Sequence, residues 1–328
     1  MRLFLDTNVW SYVADCGAAS DLARVARRSK VEIVVSPAIV DEVTALPNEG
    51  ARKKALALVT DPQWKRLMPE SFSESVEVKK EILRLRPAWK VTSPKLAEVN
   101  RLRYDWVRRS GGFWHRARAS VASQETDESL RADREFALAK EESYQIRQRL
   151  VSARPAANTH LQYVAGLPDA GTAGWSGDPV HYWRVPSLYF FQSELLIYAS
   201  PVREWIDAEV DVAAMMSDSA SMNRLWLHEM DPHNVPRQWL RGAFEFLQAW
   251  HKVTDGTPGD SRLATHLVEV DQFVSADKNF VRFAERCRVE APFRLAQARR
   301  ISGGREGVDQ LLALVAEPRA STAGLTSP

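Results

Sequence analysis

Four carboxylates in this sequence stand where a regular run of residues stops. Asp6 ends the apolar run Arg2-Leu3-Phe4-Leu5, and Asp277 follows Phe273-Val274-Ser275-Ala276. Glu42 comes after Val31-Glu32-Ile33-Val34-Val35 and the pair Ser36-Pro37, and Asp260 comes directly after the break Gly256-Thr257-Pro258-Gly259. Ligands of parallel α/β sheets bind beyond the carboxyl ends of the strands, where all four of these acids are expected. Like charges packed together are costly unless a cation neutralises them, and an all-oxygen donor set suits a hard divalent ion, Mg²⁺ or Mn²⁺. The chemistry that follows is metal-assisted hydrolysis, with water activated as nucleophile and charge stabilised on a phosphodiester. Each acid also has a structural reading, as a helix cap or a solvated helix face. Four independent caps, however, have no reason to share one sheet edge.

The elements that must position these acids are short apolar strands alternating with helices, which predicts an α/β fold with a parallel sheet flanked by helices. Ser36 can cap a helix whose first turn suits Pro37, with Ile39, Val43 and Leu46 on one stripe and Ala38 and Glu42 on another face. Asp41 points about 100° away from Glu42 and reads as solvated or as support for the site, while Asp271 reads as a loop residue. Asp260 is expected to open a helix marked by Leu263, Leu267 and Val270, and Lys278-Asn279-Phe280 to begin another. Arg299-Arg300-Ile301 supplies a candidate last strand. Residues 88–238 show little strand signal, helical stretches such as 130–150, and much of the tryptophan, so a large, mostly helical insertion is expected between Glu42 and Asp260. The predicted organisation is a first part of the sheet domain at 1–87, the insertion at 88–238, the second part at 239–316 and a frayed tail at 317–328.

The segments Leu5-Asp6-Thr7-Asn8, Ser36 with Glu42-Val43, Asp260, and Val274-Ser275-Ala276-Asp277-Lys278-Asn279-Phe280 together resemble a PIN-domain nuclease. The resemblance covers about residues 1–70 and 240–305. It implies a metal-dependent, mostly RNA-cleaving enzyme in which Asp6, Glu42, Asp260 and Asp277 form the acidic quartet and Asn8 and Ser275 are its polar helpers. The long segment between the second and third acids departs from the family, whose small members are often toxins paired with an antitoxin. Here that segment is a candidate for substrate selection, a protein-partner surface or an inhibitory cover. A structure-specific DNA nuclease, whose insertion arches over the site, and a catalytically idle scaffold that binds a protein partner are the alternatives. A receiver-type phosphorylated Asp would want a Lys at a later strand end, and Lys278 directly after Asp277 does not take that role.

Composition bounds the partners. The 328 residues are 45% hydrophobic and 26% charged, and 44 Lys+Arg against 42 Asp+Glu leave a formal charge of +2. That is an ordinary folded protein with no global attraction for a polyanion, so a nucleic-acid surface has to be local. The best candidate interleaves cations and aromatics: Arg101, Arg103, Arg108 and Arg109, then Arg116 and Arg118, among Tyr104, Trp106, Phe113 and Trp114. The competing reading is an amphipathic helix with Leu102, Trp106 and Val107 in the core and the arginines solvated or paired with the acidic run at 125–142. His228-Glu229, Asp231 and His233 miss the one-face spacing of a metal site, and Gly303-Gly304-Arg305 reads as a common turn. Trp183, Trp205, Trp226 and Trp239 read as core. The two cysteines, Cys16 and Cys287, fit a reducing cytosol, and without a leader-like start or a long apolar run the expectation is a cytoplasmic protein with no membrane partner.

Overall fold

The computed structural model describes residues 1–108, 110–120, 158–198, 200–250 and 257–317. The strands are β1 (Arg2–Leu5), β2 (Glu32–Val35), β3 (Lys65–Arg66), β4 (Ala165–Gly166), β5 (Val180–His181), β6 (Gln272–Ser275) and β7 (Gln297–Arg300). Five of them form one sheet in the order β3-β2-β1-β6-β7, with every pair parallel. Helices pack on both faces of a parallel sheet, so its inner strands should be apolar throughout. Leu3, Phe4 and Leu5 of β1 are accordingly buried, as are Ile33, Val34 and Val35 of β2 and Phe273 and Val274 of β6.

The chain builds outward from β1 through α1 (Thr7–Asp15), α2 (Ala19–Arg28), β2, α3 (Pro37–Thr44), α4 (Glu49–Val59) and β3. It then leaves the sheet through α5 (Glu70–Leu85), α6 (Leu96–Val107), α7 (Phe113–Ser120), α8 (Arg184–Leu196), α9 (Pro201–Asp207), α10 (Val212–Ser217) and α11 (Ser219–Arg224), with the β4–β5 ribbon before α8. After α12 (Pro236–Ala249) and α13 (Thr257–Ala264) it re-enters on the other side of β1 as β6, followed by α14 (Lys278–Glu290), β7 and α15 (Gly304–Ala316). The strand order therefore reverses between β1 and β6. In open α/β sheets that reversal opens a crevice at the carboxyl edge, because the two flanking connections run to opposite sides.

Small differences from the sequence reading have local causes. Strand β2 starts one residue later than expected because Val31 N–H donates to Ala26 O at the end of α2. Strand β7 covers Gln297–Arg300 instead of 299–301, since its ladder is set by Gln272–Ser275 of β6. Asp260 lies inside the first turn of α13, which starts at Thr257 and tightens into a 3₁₀ turn over Thr265–Val268. Leu263, Leu267 and Val270 are nevertheless buried as that spacing demands. Helix α3 ends at Thr44, so Leu46 falls beyond it.

Trp183, Trp205, Trp226 and Trp239 are buried, as expected of core residues. Three of them, Trp183, Trp226 and Trp239, belong to one apolar cluster that also contains Phe4, Val34 and Phe273 of the sheet. The helical stretch expected at 130–150, the acidic run at 125–142 and the tail beyond 317 lie outside the described residues. Among the described residues no helix is long and apolar enough to cross a membrane.

Candidate functional site

Three of the strand-to-helix junctions at the carboxyl edge end in a polar cap. Asp6 closes β1 and caps α1, accepting Thr7 N–H at 2.7 Å. Ser36 closes β2 and caps α3, where Pro37 needs no N–H donor of its own. Asp277, two residues after β6, caps α14 by accepting Asn279 N–H at 2.6 Å and Phe280 N–H at 3.0 Å. Capping explains the residue type at each junction, but it does not explain what else these side chains touch.

Asp6 and the end of β6 are tied together across the reversal point. Asp6 Oδ2 accepts Asn8 Nδ2 at 2.6 Å and the hydroxyl of Ser275. Ser275 Oγ also accepts Asp277 N–H at 2.8 Å, and Asn8 Oδ1 accepts Ala276 N–H at 3.1 Å. Asn8 and Ser275 thus join the two strand ends and fix one oxygen of Asp6. The second acid is tied in through Thr7, whose hydroxyl donates to Glu42 Oε2. The third is held by α12: Gln248 Nε2 donates to Asp260 Oδ2 at 3.2 Å. Gly259 lies against Glu42, where a Cβ would overlap Oε1 and displace the carboxylate.

The electrostatics join the four acids into one site. Burial pushes the Asp6 carboxyl up, opposed by the bonds from Ser275, Thr7 and Asn8 and reinforced by the charge of Asp277. Burial, and then the charge of Asp6, pushes Glu42 up to about 8, against the Thr7 bond and the Arg262 guanidinium. Asp260 is raised well above the usual carboxylate range by burial and by the charges of Asp6, Glu42 and Asp277, with the Gln248 bond opposing. Each charge makes the next one costlier, which is the situation a divalent cation relieves. The donors fit such an ion in kind, being hard oxygens, and Gly259 beside Glu42 presents no side chain of its own to the carboxylate. As placed, among the described residues, no three Asp, Glu, His or Cys side chains are drawn close enough together to hold a metal ion.

Several partners of the acids carry no signal that sequence spacing reveals. Thr7 lies in the Asp-Thr-Asn motif yet acts on Glu42, while Gln248 is one of many polar residues on a helix. Arg262 bonds Glu70 Oε1 at 2.6 Å and Asp41 Oδ2 at 3.3 Å, so Asp41 is half-exposed and ion-paired beside the site. Asp271 is a loop residue at the opposite, amino edge, where it accepts Arg2 N–H at 2.7 Å.

The proposed cation–aromatic stretch is not an open groove. Arg108 and Arg116 both pair with Asp105, at 2.9 and 2.7 Å, Arg101 lies 3.8 Å from Glu98, and Arg118 lies 3.6 Å from Asp61. Arg103 is exposed and Arg109 lies outside the described residues. The amphipathic-helix reading is also corrected in part: α6 buries no residue and Val107 is exposed, because Trp114 of α7 takes the core position, donating Nε1–H to Trp106 O at 3.0 Å. His228, Glu229, Asp231 and His233 lie at a helix end, with Glu229 bonded to Arg86 and Asp231 to His233. Gly303 precedes α15 as an N-cap without a side-chain bond, and Arg305 faces Asp309 at 3.4 Å.

No protein-family model matches the chain, and neither a curated protein nor a solved structure matches it.

Proposed function

We propose that this chain is a cytoplasmic, metal-dependent nuclease with a PIN-like core that hydrolyses RNA phosphodiester bonds, with Asp6, Glu42, Asp260 and Asp277 holding Mg²⁺ or Mn²⁺. One observation carries the reading: Asp260, which comes from a helix more than two hundred residues after Asp6 and Glu42, is pushed up by burial and then by the charges of Asp6, Glu42 and Asp277 together. Structural caps do not need to converge in this way, whereas a cation site does. The cation supplies Lewis-acid chemistry, stabilising charge on the scissile phosphate and activating water. The chain's own residues do the positioning. Asn8 and Ser275 hold one oxygen of Asp6, Thr7 orients Glu42, and Gln248 orients Asp260.

Phosphate contacts come from a different place than the sequence pattern implied. Arg299 and Arg300 lie at the carboxyl end of β7, in register with Val274 and Ser275, and Lys278 follows Asp277. All three are exposed and make no ion pair among the described residues, in contrast to the paired arginines of the 101–118 stretch. The helices between β3 and β6 serve as an insertion that restricts access to the edge.

The test incubates wild-type and Asp6→Asn/Asp277→Asn protein with labelled single-stranded RNA and DNA in Mn²⁺, Mg²⁺ or EDTA. RNA cleavage that requires the metal and disappears in the variant is expected. Cleavage of DNA alone would reassign the substrate, and absence of cleavage on either strand would sink the enzymatic reading in favour of a protein-binding scaffold.

A further inference from the structure

A cavity of about 410 Å³ opens beside the β4–β5 ribbon, and none of the four carboxylates lines it. Its walls bring together Arg184, His181, His228, Gln162 and Tyr163 with aliphatic side chains. No Asp or Glu lies among its lining residues, and Arg184 is the charged group there, beside two imidazoles.

Arg184 is the unusual member. It is 7% exposed, yet among the described residues no carboxylate pairs with it. Its Nη1 and Nη2 donate instead to the carbonyl oxygens of Trp226 and Met230, both at 2.7 Å, and its guanidinium lies 4.7 Å from the Trp183 ring. Carbonyl dipoles at a helix end favour a cation but do not neutralise it, and a buried charge without a counterion is costly. Burial accordingly pulls the guanidinium down to about 10, with Asp231 and Glu81 opposing from farther off. Burial and the Arg184 charge likewise pull His181 down, against the Gln162 backbone. His228 Nε2 accepts Ser176 N–H at 3.3 Å, which leaves Nδ1 to donate when the ring is neutral.

We propose that this cavity is a binding site for a terminal phosphomonoester of nucleotide size, separate from the carboxylate edge. The phosphate is the missing counterion of Arg184 and takes donors from the two imidazoles. The volume is that of a small-ligand site. Gln162 offers hydrogen bonds to a base edge, and Tyr163, 75% exposed at the mouth, offers a ring face for stacking. The phosphomonoester belongs either to a free mononucleotide or to the 5′ end of a strand. The cavity shares no lining residue with the carboxylate site, so phosphate binding there does not depend on nuclease activity.

The test is calorimetric titration of the full chain in EDTA with inorganic phosphate, AMP, adenosine, and a short oligonucleotide bearing either a 5′-phosphate or a 5′-hydroxyl. AMP or the 5′-phosphorylated strand is expected to bind at least about tenfold more tightly than its unphosphorylated counterpart. His181→Gln and His228→Gln should each weaken that binding about tenfold, and Asp6→Asn should leave it unchanged. Arg184→Gln should abolish it, but only the two histidine variants decide the matter if that protein misfolds. A preference for AMP over the phosphorylated strand identifies the free nucleotide as the ligand, and the reverse identifies a strand end. Equal binding with and without the phosphate, histidine variants that bind like wild type, or binding lost with Asp6 would each overturn the proposal.

Discussion

Two sets of four acids lie within this molecule, and they are treated oppositely. Glu70, Glu74, Glu77 and Glu81 share one face of α5 at helical spacing, and each meets a cation or a row of donors. Arg262 bonds Glu70 at 2.6 Å, Arg241 bonds Glu74 at 2.5 Å, Arg237 pairs with Glu77, and Glu81 receives Arg84, Asp231 N–H and Asn234. At the sheet edge Asp6 is buried, Glu42 and Asp260 are partly buried and Asp277 is exposed, and the charged neighbours of the first three are mostly other acids. The outcomes differ in sign. Burial alone would raise Glu70, yet the charges of Arg262 and His266 hold it down to about 2, whereas Glu42 rises to about 8. Glu77 departs from its row, since burial outweighs Arg237 and pushes it up to about 7. Between Glu70 and Glu42 the identity of the nearest charge decides the direction, whereas at Glu77 burial prevails over the neighbouring cation.

The comparison breaks first on activity. Asp260→Asn should abolish cleavage in the RNA assay while Glu74→Gln retains it, and equal loss in both would mean that the two sets are not functionally distinct. Next comes stability. Glu70→Gln, which leaves the partly exposed Arg262 with Asp41 alone, should cost about 1 kcal/mol in urea unfolding at pH 7. In EDTA, Glu42→Gln should instead stabilise at alkaline pH.

The pH dependence sharpens the same contrast. Glu42 has a folded value above its ordinary 4.5, so the folded state binds the extra proton, and this contribution is full below 4.5 and lost as pH rises toward 8. Glu70 has a folded value below 4.5, so its contribution is full above 4.5 and lost as pH falls toward 2. Thermal unfolding in EDTA should show a smaller loss between about pH 4.5 and 8 in Glu42→Gln than in wild type, the remainder coming from Asp6 and Asp260, and added Mg²⁺ should reduce the loss in wild type. A smaller effect belongs to the support of Asp6: Ser275→Ala should lower the cleavage rate about ten- to a hundredfold, with KM for RNA little changed. The smallest is expected of Arg299→Gln/Arg300→Gln, which should flatten the salt dependence of single-strand binding by about 1 in log–log slope without changing the metal requirement.

Much of the sheet edge was legible because each strand is short, apolar and stopped by a capping residue: Asp6, Ser36 and Asp277 announce themselves by what precedes them. Asp260 was placed by a Gly/Pro break, although its helix begins three residues earlier. The partners that aim the acids were not legible. Gln248 and Gly259 matter only because α12 packs against α13 and α13 against α3, and no local pattern encodes that approach. The α5 row is periodic in the sequence, but a stripe of glutamates reads as solvated until the arginines of α12 and α13 close over it. The pairing of the arginines at 101–118 was not legible either, since Glu98, Asp105 and Asp61 meet charges that the spacing alone leaves open.

Helix α13 carries Asp260 toward the sheet edge and, two positions on, Arg262 into the α5 row. Two residues of an α-helix differ by about 200° in direction, so the two side chains serve nearly opposite faces. Reading frame within this one turn is therefore a specification in its own right. Deleting or inserting a single residue next to Ser261 would swing one of the two by about 100° while leaving composition and hydropathy almost untouched. A change of length in this segment would therefore uncouple the two rows of acids, whereas a substitution keeps them in phase.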